Sequence, residues 1–489
     1  MSSKKVVIIG AGIAGIATAI RLAVKGYAVE VFEANATPGG KLGEVIKDGF
    51  RFDAGPSLLT MPEYIDDLFS IAGKEAAKYF QYQKLDVTCK YFYEDSTKLT
   101  AYADKEKFEQ EIVTHTNELA DALQKQAANS ARIYELINPV FLQRAFKGLK
   151  EIFTKEGFKA FLNLKKLDTG RTMHQANKSI FEDEHLVQFY DRYATYNGSN
   201  PYTAPATLNV IPHLEQEFGA YFPAEGMYSI IIALVDLARM LGVKFNYNSP
   251  VDEIVLNGKT ATGIKVKGEV IDADVVIANM DVWFTYNKLL KGYPKLHPKK
   301  VLAQERSSSA LVFYWGISKK LARLDLHNIF FSADYKAEFD QIWQQKTIYQ
   351  DPTVYINITS KLKPKDAPQG CENWFVMINV PANTGQDWEA LIAQARANIL
   401  AKLSSRLNEN IGKLIMNETV LDPRGIESKT SSYQGSIYGT SSNNKYAAFN
   451  RHANQSAQIN NLYFVGGSVH PGGGIPLCLL SAKIVAEAL

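Results

Sequence analysis

Cysteine is scarce in this chain. Its three cysteines, Cys89, Cys371 and Cys478, are odd in number, far apart and without metal-ligand spacing. A disulfide framework and a metal site are therefore not expected, and reduced thiols in a cytoplasmic protein are. Long apolar runs are missing as well: no uncharged apolar stretch reaches the roughly eighteen residues that a membrane span needs. The run from Val6 to Ile20 imitates a signal peptide after Lys4-Lys5. Gly10, Gly12 and Gly15 interrupt it, however, Arg21 and Lys25 follow it, and no small-residue cleavage site closes it. Neither sign of charge dominates, and the net of +3 gives no argument for nucleic acid as a partner. Internal repeats, low-complexity stretches, a Ser-His-Asp arrangement and a paired-carboxylate constellation are also lacking. What is there is globular composition, 46% hydrophobic and 21% charged over 489 residues, enough for two or more domains.

Residues 5–33 read as one β-α-β unit. Val6-Val7-Ile8-Ile9 is a continuous β-branched run, as expected of a buried parallel strand. A tight turn spans Gly10 to Gly15, helical spacing runs from Ile13 to Lys25, Gly26 stops the helix, and residues 27–33 alternate as a second strand. Similar strand patterns recur at 243–247, 250–257 and 274–278, the last leading into Asn279-Met280-Asp281. Near the end, Leu462-Tyr463-Phe464-Val465 is followed by glycines and a helix from Leu477 onward. Separated pieces of nucleotide-fold character imply a discontinuous α/β domain of Rossmann type with other segments inserted into it. Residues 104–200 are mostly helical in pattern. Residues 300–425 carry strands at 310–314, 353–359 and 374–380 and a helix at 387–407, which suggests an α+β unit with a mainly antiparallel sheet.

Gly10-x-Gly12-x-x-Gly15 follows a strand and opens a helix, the context that gives this pattern meaning. Gly10 permits the turn, Gly12 lets a pyrophosphate approach the backbone, Gly15 lets helix pack on strand, and the helix N-terminus offers free N–H groups. Glu33 ends the next strand, where a carboxylate can accept hydrogen bonds from a ribose diol; an arginine there would have suggested NADP. A second loop then follows, Gly39-Gly40-Lys41 and Phe52-Asp53-Ala54-Gly55-Pro56-Ser57. A lysine beside a glycine pair brings a cation to a pyrophosphate at close range. NAD dehydrogenases have no need of this loop, whereas the longer FAD requires further backbone contacts.

These motifs resemble the N-terminal flavin signature of the phytoene desaturase and amine oxidase superfamily. Downstream, Glu182 to Leu186, Ala194 to Gly198 with Pro201, Ile211 to Glu215 and Phe222 to Met227 are similar to the bacterial-type carotenoid desaturases. So is Asn461 to Pro476, which resembles that family's C-terminal signature and is the most specific motif in the chain. Essentially the whole length is covered in the right order, and the hydroxycarotenoid 3,4-desaturase branch is the most similar. Two positions depart: Glu225 stands where the family has a second glycine before Gly226, and Leu477 where it often has a small residue. Both are expected to border the flavin or the substrate channel.

The resemblance implies FAD held by Gly10, Gly12, Ile13, Ala14, Gly15, Glu33, Ala34, Gly39, Gly40, Lys41, Leu42, Gly55, Pro56, Ser57 and Leu58, by Val251 and Met280, and by Gly466, Gly467, Gly474, Ile475 and Pro476. It implies desaturation of an acyclic carotenoid, hydroxylated and acted on at C3–C4, with phytoene as the alternative substrate and oxygen or a quinone as electron acceptor. A flavin amine oxidase and a non-redox carotenoid isomerase are rival readings. Asp191, Arg192, His213 and Glu215 are the candidates for a proton acceptor, and each is equally explained by a structural ion pair. Residues 144–171 hold eight basic residues against three acids, interleaved with phenylalanines. This basic stretch, 141–171, suits an amphipathic helix docked on the cytoplasmic face of an anionic membrane, or a solvated face over core phenylalanines. The expected division is 1–103 (first FAD-binding part with the start of the substrate domain), 104–200 (helical, membrane-associated), 201–285 (second FAD-binding part), 286–455 (α+β substrate domain) and 456–489 (third FAD-binding part).

Overall fold

The computed structural model describes residues 3–144 and 167–489. Its first sheet has five parallel strands in the order Leu462–Phe464, Val275–Ala278, Lys5–Ile9, Ala28–Phe32 and Lys244–Asn246. The central strand, Lys5–Ile9, is buried on both faces because its side chains alternate between two cores. Val6 and Ile8 join Ile16, Ile20, Leu234, Leu479 and Val485 from the helices Ile13–Val24, Ser229–Met240 and Ile475–Ala488. Val7 and Ile9 face the other way, towards Ile254 and Ile264 of a three-stranded antiparallel sheet, Val251–Asn257, Thr260–Val266 and Glu269–Asp272. Strands from residues 5 to 464 thus share one sheet, and the two ends of the chain meet through Val275–Ala278.

The second sheet has seven strands in the order Ile415–Leu421, Ser309–Ile317, Glu372–Val380, Val354–Asn357, His327–Phe330, Val87–Phe92 and Lys98–Tyr102. All pairings are antiparallel except His327–Phe330 with Val87–Phe92. The period of two sorts its residues cleanly. Leu311, Phe313, Trp315, Trp374, Val376, Ile378, Val354 and Ile356 form one core, covered by Ile399, Leu403 and Leu407 of the helix Trp388–Leu407. Asp387 caps that helix by accepting from the Ala390 N–H. The alternate residues, Val312, Tyr314, Phe375, Met377 and Tyr355, face a large cavity.

The helices Lys105–His115, Ala120–Ile137, Glu184–Asp191 and Val210–Gln216, with the 3-10 helix Arg192–Asn197, stand near the Val87–Phe92 end of this sheet. The basic stretch expected at 141–171 falls mostly on residues 145–166, outside the described residues. Among the described residues no helix is long and apolar enough to cross a membrane.

Trp374 is fully buried opposite Trp315, and its indole N–H donates to Glu372 at 2.9 Å. Trp374→Ala is expected to lower unfolding stability by about 3–5 kcal/mol, measured by urea denaturation followed by circular dichroism.

Candidate cofactor and substrate site

A cavity of about 1470 Å³ runs between the two sheets. Both of its glycine-rich walls are set by one side chain, Asn279, which follows the strand Val275–Ala278. Its Oδ1 accepts from the Gly15 N–H at 2.9 Å, and its Nδ2 donates to the Val465 carbonyl at 3.1 Å. The turn at Gly10, where φ is +97°, passes so close that a Cβ would stand 2.7 Å from the Asn279 carbonyl oxygen; a Cβ on Gly466 would stand 2.7 Å from Nδ2. Only glycine fits at either place. The consequence is that the helices Ile13–Val24 and Ile475–Ala488 both open at this cavity, with Gly12 and Gly474 as N-caps that offer no side-chain partner to the first N–H groups. Two helix N-termini over one cavity suit an anionic ligand such as a pyrophosphate.

The loop after the second strand completes this cradle. Gly39 donates to the Ala11 carbonyl at 2.8 Å, and Gly55 packs on the backbone of Lys41 where any side chain would overlap its carbonyl. Glu33 is buried, with Oε2 accepting from Ala11 N–H at 2.8 Å and Oε1 from the backbone and side chain of Asn35 at 2.9 and 2.8 Å. Each oxygen keeps accepting capacity for a ribose hydroxyl. Lys41 donates to the carbonyls of Ser436 and Ile437 at 3.2 and 2.8 Å. Burial pushes its ammonium down to about 8, against the pull of Asp281, which itself pairs with Arg306.

Of the residues expected from sequence, Gly12, Ile13, Ala14, Gly39, Gly40, Lys41, Leu42, Gly55, Pro56, Ser57, Leu58, Met280, Gly466, Gly467, Gly474, Ile475 and Pro476 line the cavity together. Gly10 and Gly15 stand behind it against Asn279. Glu33 lies beside Ser249, whose N–H donates to the Glu33 carbonyl at 2.9 Å, and Val251 opens the strand two residues on. Ala34 is exposed next to Glu33. Leu477 lines the cavity as expected of it, whereas Glu225 is on the surface, paired with Lys363 at 3.0 Å, and borders nothing.

The four proton-acceptor candidates separate. Asp191 does not line the cavity: it is buried against His174 and Asn177 at 2.6 and 2.8 Å, and burial raises its pKa. His213 does not line it either, being packed between Tyr134 and Phe218, where burial lowers its pKa. Arg192 and Glu215 do line it, 3.8 Å apart, and Glu215 accepts from the hydroxyls of Tyr193 and Tyr196 at 2.8 and 2.6 Å. Sequence reasoning missed Asn279, whose signal was its place at a strand end like that of Glu33. It also missed Arg451, which lines the cavity and donates to the carbonyls of Tyr438, Gly467 and Thr440, and the pair His327 and Tyr355. No group of three or more potential metal ligands occurs among the described residues.

Residues 13–319 match the family described as flavin containing amine oxidoreductase, more than half of the chain, and the chain belongs to that family. FAD is its cofactor, and the glycine cradle with its two helix N-termini fits that group. The chain is 49% identical over 486 residues to the 1-hydroxycarotenoid 3,4-desaturase of Flavobacterium sp. (strain P99-3), covering 99% of each. It is 33% identical over 494 residues to the 4,4'-diapolycopene oxygenase of Methylomonas sp, covering 100% of this chain and 98% of that one. Among solved structures, an oxidoreductase from Methanosarcina mazei is similar with a TM-score of 0.65 at 16% identity, covering 99% of this chain and 100% of that one, a likeness of fold.

Asn279→Ala is expected to weaken FAD binding about tenfold or more, because it leaves a buried N–H and a buried carbonyl without their partner. Fluorescence titration of the apoprotein measures this. The same titration against pH is expected to show affinity falling above pH 8 as Lys41 loses its proton, and no such fall in Lys41→Arg.

Proposed function

We propose that this chain is an FAD-dependent carotenoid desaturase that introduces a double bond at C3–C4 of an acyclic, hydroxylated carotenoid. The observation that carries the reading is the continuity of the cofactor cradle with an apolar chamber. The same cavity that Gly12, Lys41 and Gly474 line is walled by Val312, Ile329, Phe375 and Met377. The apolar length of a polyene enclosed there is held by dispersion and burial. The relative at 49% identity carries this activity in its name.

FAD, when bound, supplies the acceptor for a hydride taken from one of two adjacent carbons. The chain's part is to hold and orient. The expected cofactor residues take roles that follow from their positions: Gly12 to Ala14 and Gly474 to Pro476 present N–H groups, Lys41 a cation, and Glu33 a carboxylate for a ribose. Ser57 and Leu58 flank the chamber end of the cradle. The proton of the second carbon is assigned to no side chain, since both oxygens of Glu215 are committed to tyrosine hydroxyls and its charge to Arg192. That same pairing disfavours the amine oxidase reading, because it leaves no spare carboxylate in the chamber wall near Arg192 to receive an ammonium group.

A finer reading concerns access. Leu136, Ile137, Phe141 and Leu142 on one flank of residues 145–166, and Leu167 on the other, line the cavity. A peripheral attachment of the basic stretch to an anionic bilayer would set the chamber mouth at the lipid surface, where a carotenoid dissolves. The proposal includes a division of the chain at 1–103, 104–200, 201–285, 286–455 and 456–489, with the first, third and fifth parts binding FAD.

Expression in cells accumulating defined acyclic carotenoids, with pigments separated by chromatography, is expected to yield a product with one more double bond from the hydroxylated substrate. No added double bond with any carotenoid would sink the desaturase reading. Purified protein is expected to co-sediment with anionic liposomes more than with neutral ones, and equal absence from both pellets would remove the membrane attachment.

A further inference from the structure

The second sheet gives the chamber an apolar wall at Val312, Ile329, Phe375 and Met377 and polar positions at several others, His327 among them. His327 begins the strand His327–Phe330, which pairs with Val87–Phe92 so that Ile329 lies beside Tyr91. The Arg192 guanidinium stands over the Tyr91 ring at 5.2 Å. Arg192 and His327 therefore flank the same pair of strands, both line the cavity, and both are more than nine-tenths buried.

Their hydrogen bonds leave a remainder. Arg192 donates from Nη1 to the Tyr196 hydroxyl at 2.9 Å, but its Nε and Nη2 have no hydrogen-bond partner. His327 has Nδ1 at 2.7 Å from the Tyr355 hydroxyl and 3.3 Å from Asn357 Nδ2. Asn357 Nδ2 also donates to the Leu326 carbonyl at 3.2 Å, which fixes it as the amide nitrogen. A nitrogen that faces an amide N–H must accept, so Nδ1 is the acceptor and Nε2 carries the hydrogen. Burial pushes the His327 pKa down to about 3, which keeps the ring in this neutral form. Its Nε2 too has no partner.

Buried N–H groups without acceptors are costly. Three of them, Arg192 Nε and Nη2 and His327 Nε2, belong to two residues of this wall, and Arg451 Nε is a further one in the lining. Glu215 already balances the charge of Arg192. The missing partner is thus an acceptor without charge, at an otherwise apolar molecule. We infer that Arg192 and His327 form a subsite for the hydroxyl oxygen at one end of the carotenoid, and that this subsite selects hydroxylated over unsubstituted polyenes.

The inference rests on the desaturase reading and adds register to it. His327 is joined to the cofactor cradle by two hydrogen bonds, through Tyr355 to Ser57 Oγ at 2.6 Å. An oxygen held at His327 is therefore held at a set distance from the cradle, and a hydroxyl on C1 stands only two carbons from C3. Anchoring that oxygen presents one bond for reaction and prevents the polyene from sliding onward. A polyene lacking the hydroxyl would bury the same donors unpaired, which is how a site built for a hydroxyl rejects its absence.

The test uses the full-length, FAD-loaded protein and two acyclic carotenoids in micelles, identical except for the terminal hydroxyl. Dissociation constants come from quenching of protein fluorescence, and kcat/KM from chromatography. The hydroxylated carotenoid is expected to bind at least about tenfold more tightly to the unmodified protein. His327→Phe, which keeps the ring and loses the donor, is expected to bring that ratio close to one, while His327→Gln, which keeps an N–H donor, retains most of it. Should His327→Phe fail to hold FAD, Tyr355→Phe, which removes the hydroxyl that orients His327, reads the same ratio. A ratio near one in the unmodified protein, or a ratio that His327→Phe leaves unchanged, overturns the subsite while the desaturase reading stands. Absence of both binding and turnover for either carotenoid overturns the desaturase reading and the subsite with it.

Discussion

Two turns of the chain, about 450 residues apart, have to approach a single amide side chain closely enough to hydrogen-bond with it. Asn279 takes the Gly15 N–H with its oxygen and gives its nitrogen to the Val465 carbonyl. Side chains at Gly10 or Gly466 would hold those turns away. Because the approach succeeds, two uncapped helix N-termini open on one space, and the positive ends of both helices act on whatever anion lies there. The cradle in which FAD would lie depends on this contact.

The second sheet makes its own division of labour by alternation. One set of residues builds a packed core with the helix Trp388–Leu407, and the intervening set is left to face the cavity. Such a wall can be tuned for a ligand without disturbing the core behind it, because the two sets share backbone but not contacts. The presence of His327 and Tyr355 within that wall is an instance. Both sit at cavity-facing positions, with Ile356 and Phe330 behind them in the core.

Features carried by contiguous residues were legible in the sequence. The opening β-α-β unit, the glycine turn, the loop from Gly39 to Ser57, the stretch from Gly466 to Pro476 and the long helix after Asp387 all depend on local pattern, and each was read close to its observed position. What depends on long-range pairing was not. His327–Phe330 is four residues long and gains its identity as a strand from neighbours on both sides. Val87–Phe92 joins it in parallel from a part of the chain that precedes it by more than 200 residues. Among Asp191, Arg192, His213 and Glu215, chemistry alone could not say which face each would occupy. The turn from α-helix to 3-10 helix after Asp191 sends that carboxylate to His174 and the next side chain to the cavity.

The adjacency of Lys5–Ile9, Val275–Ala278 and Leu462–Phe464 in one sheet has a consequence for how the protein is made. During synthesis the glycine turn at residues 10–15 is made about 450 residues before the partner that closes the cofactor cradle, Gly466 to Pro476. The central strand has one neighbour missing until Val275–Ala278 is made, and that strand in turn lacks Leu462–Phe464 for almost 190 residues more. The cradle therefore cannot close around a cofactor before the segment from Gly466 to Pro476 has been made, and until then the first sheet stands without its last strand.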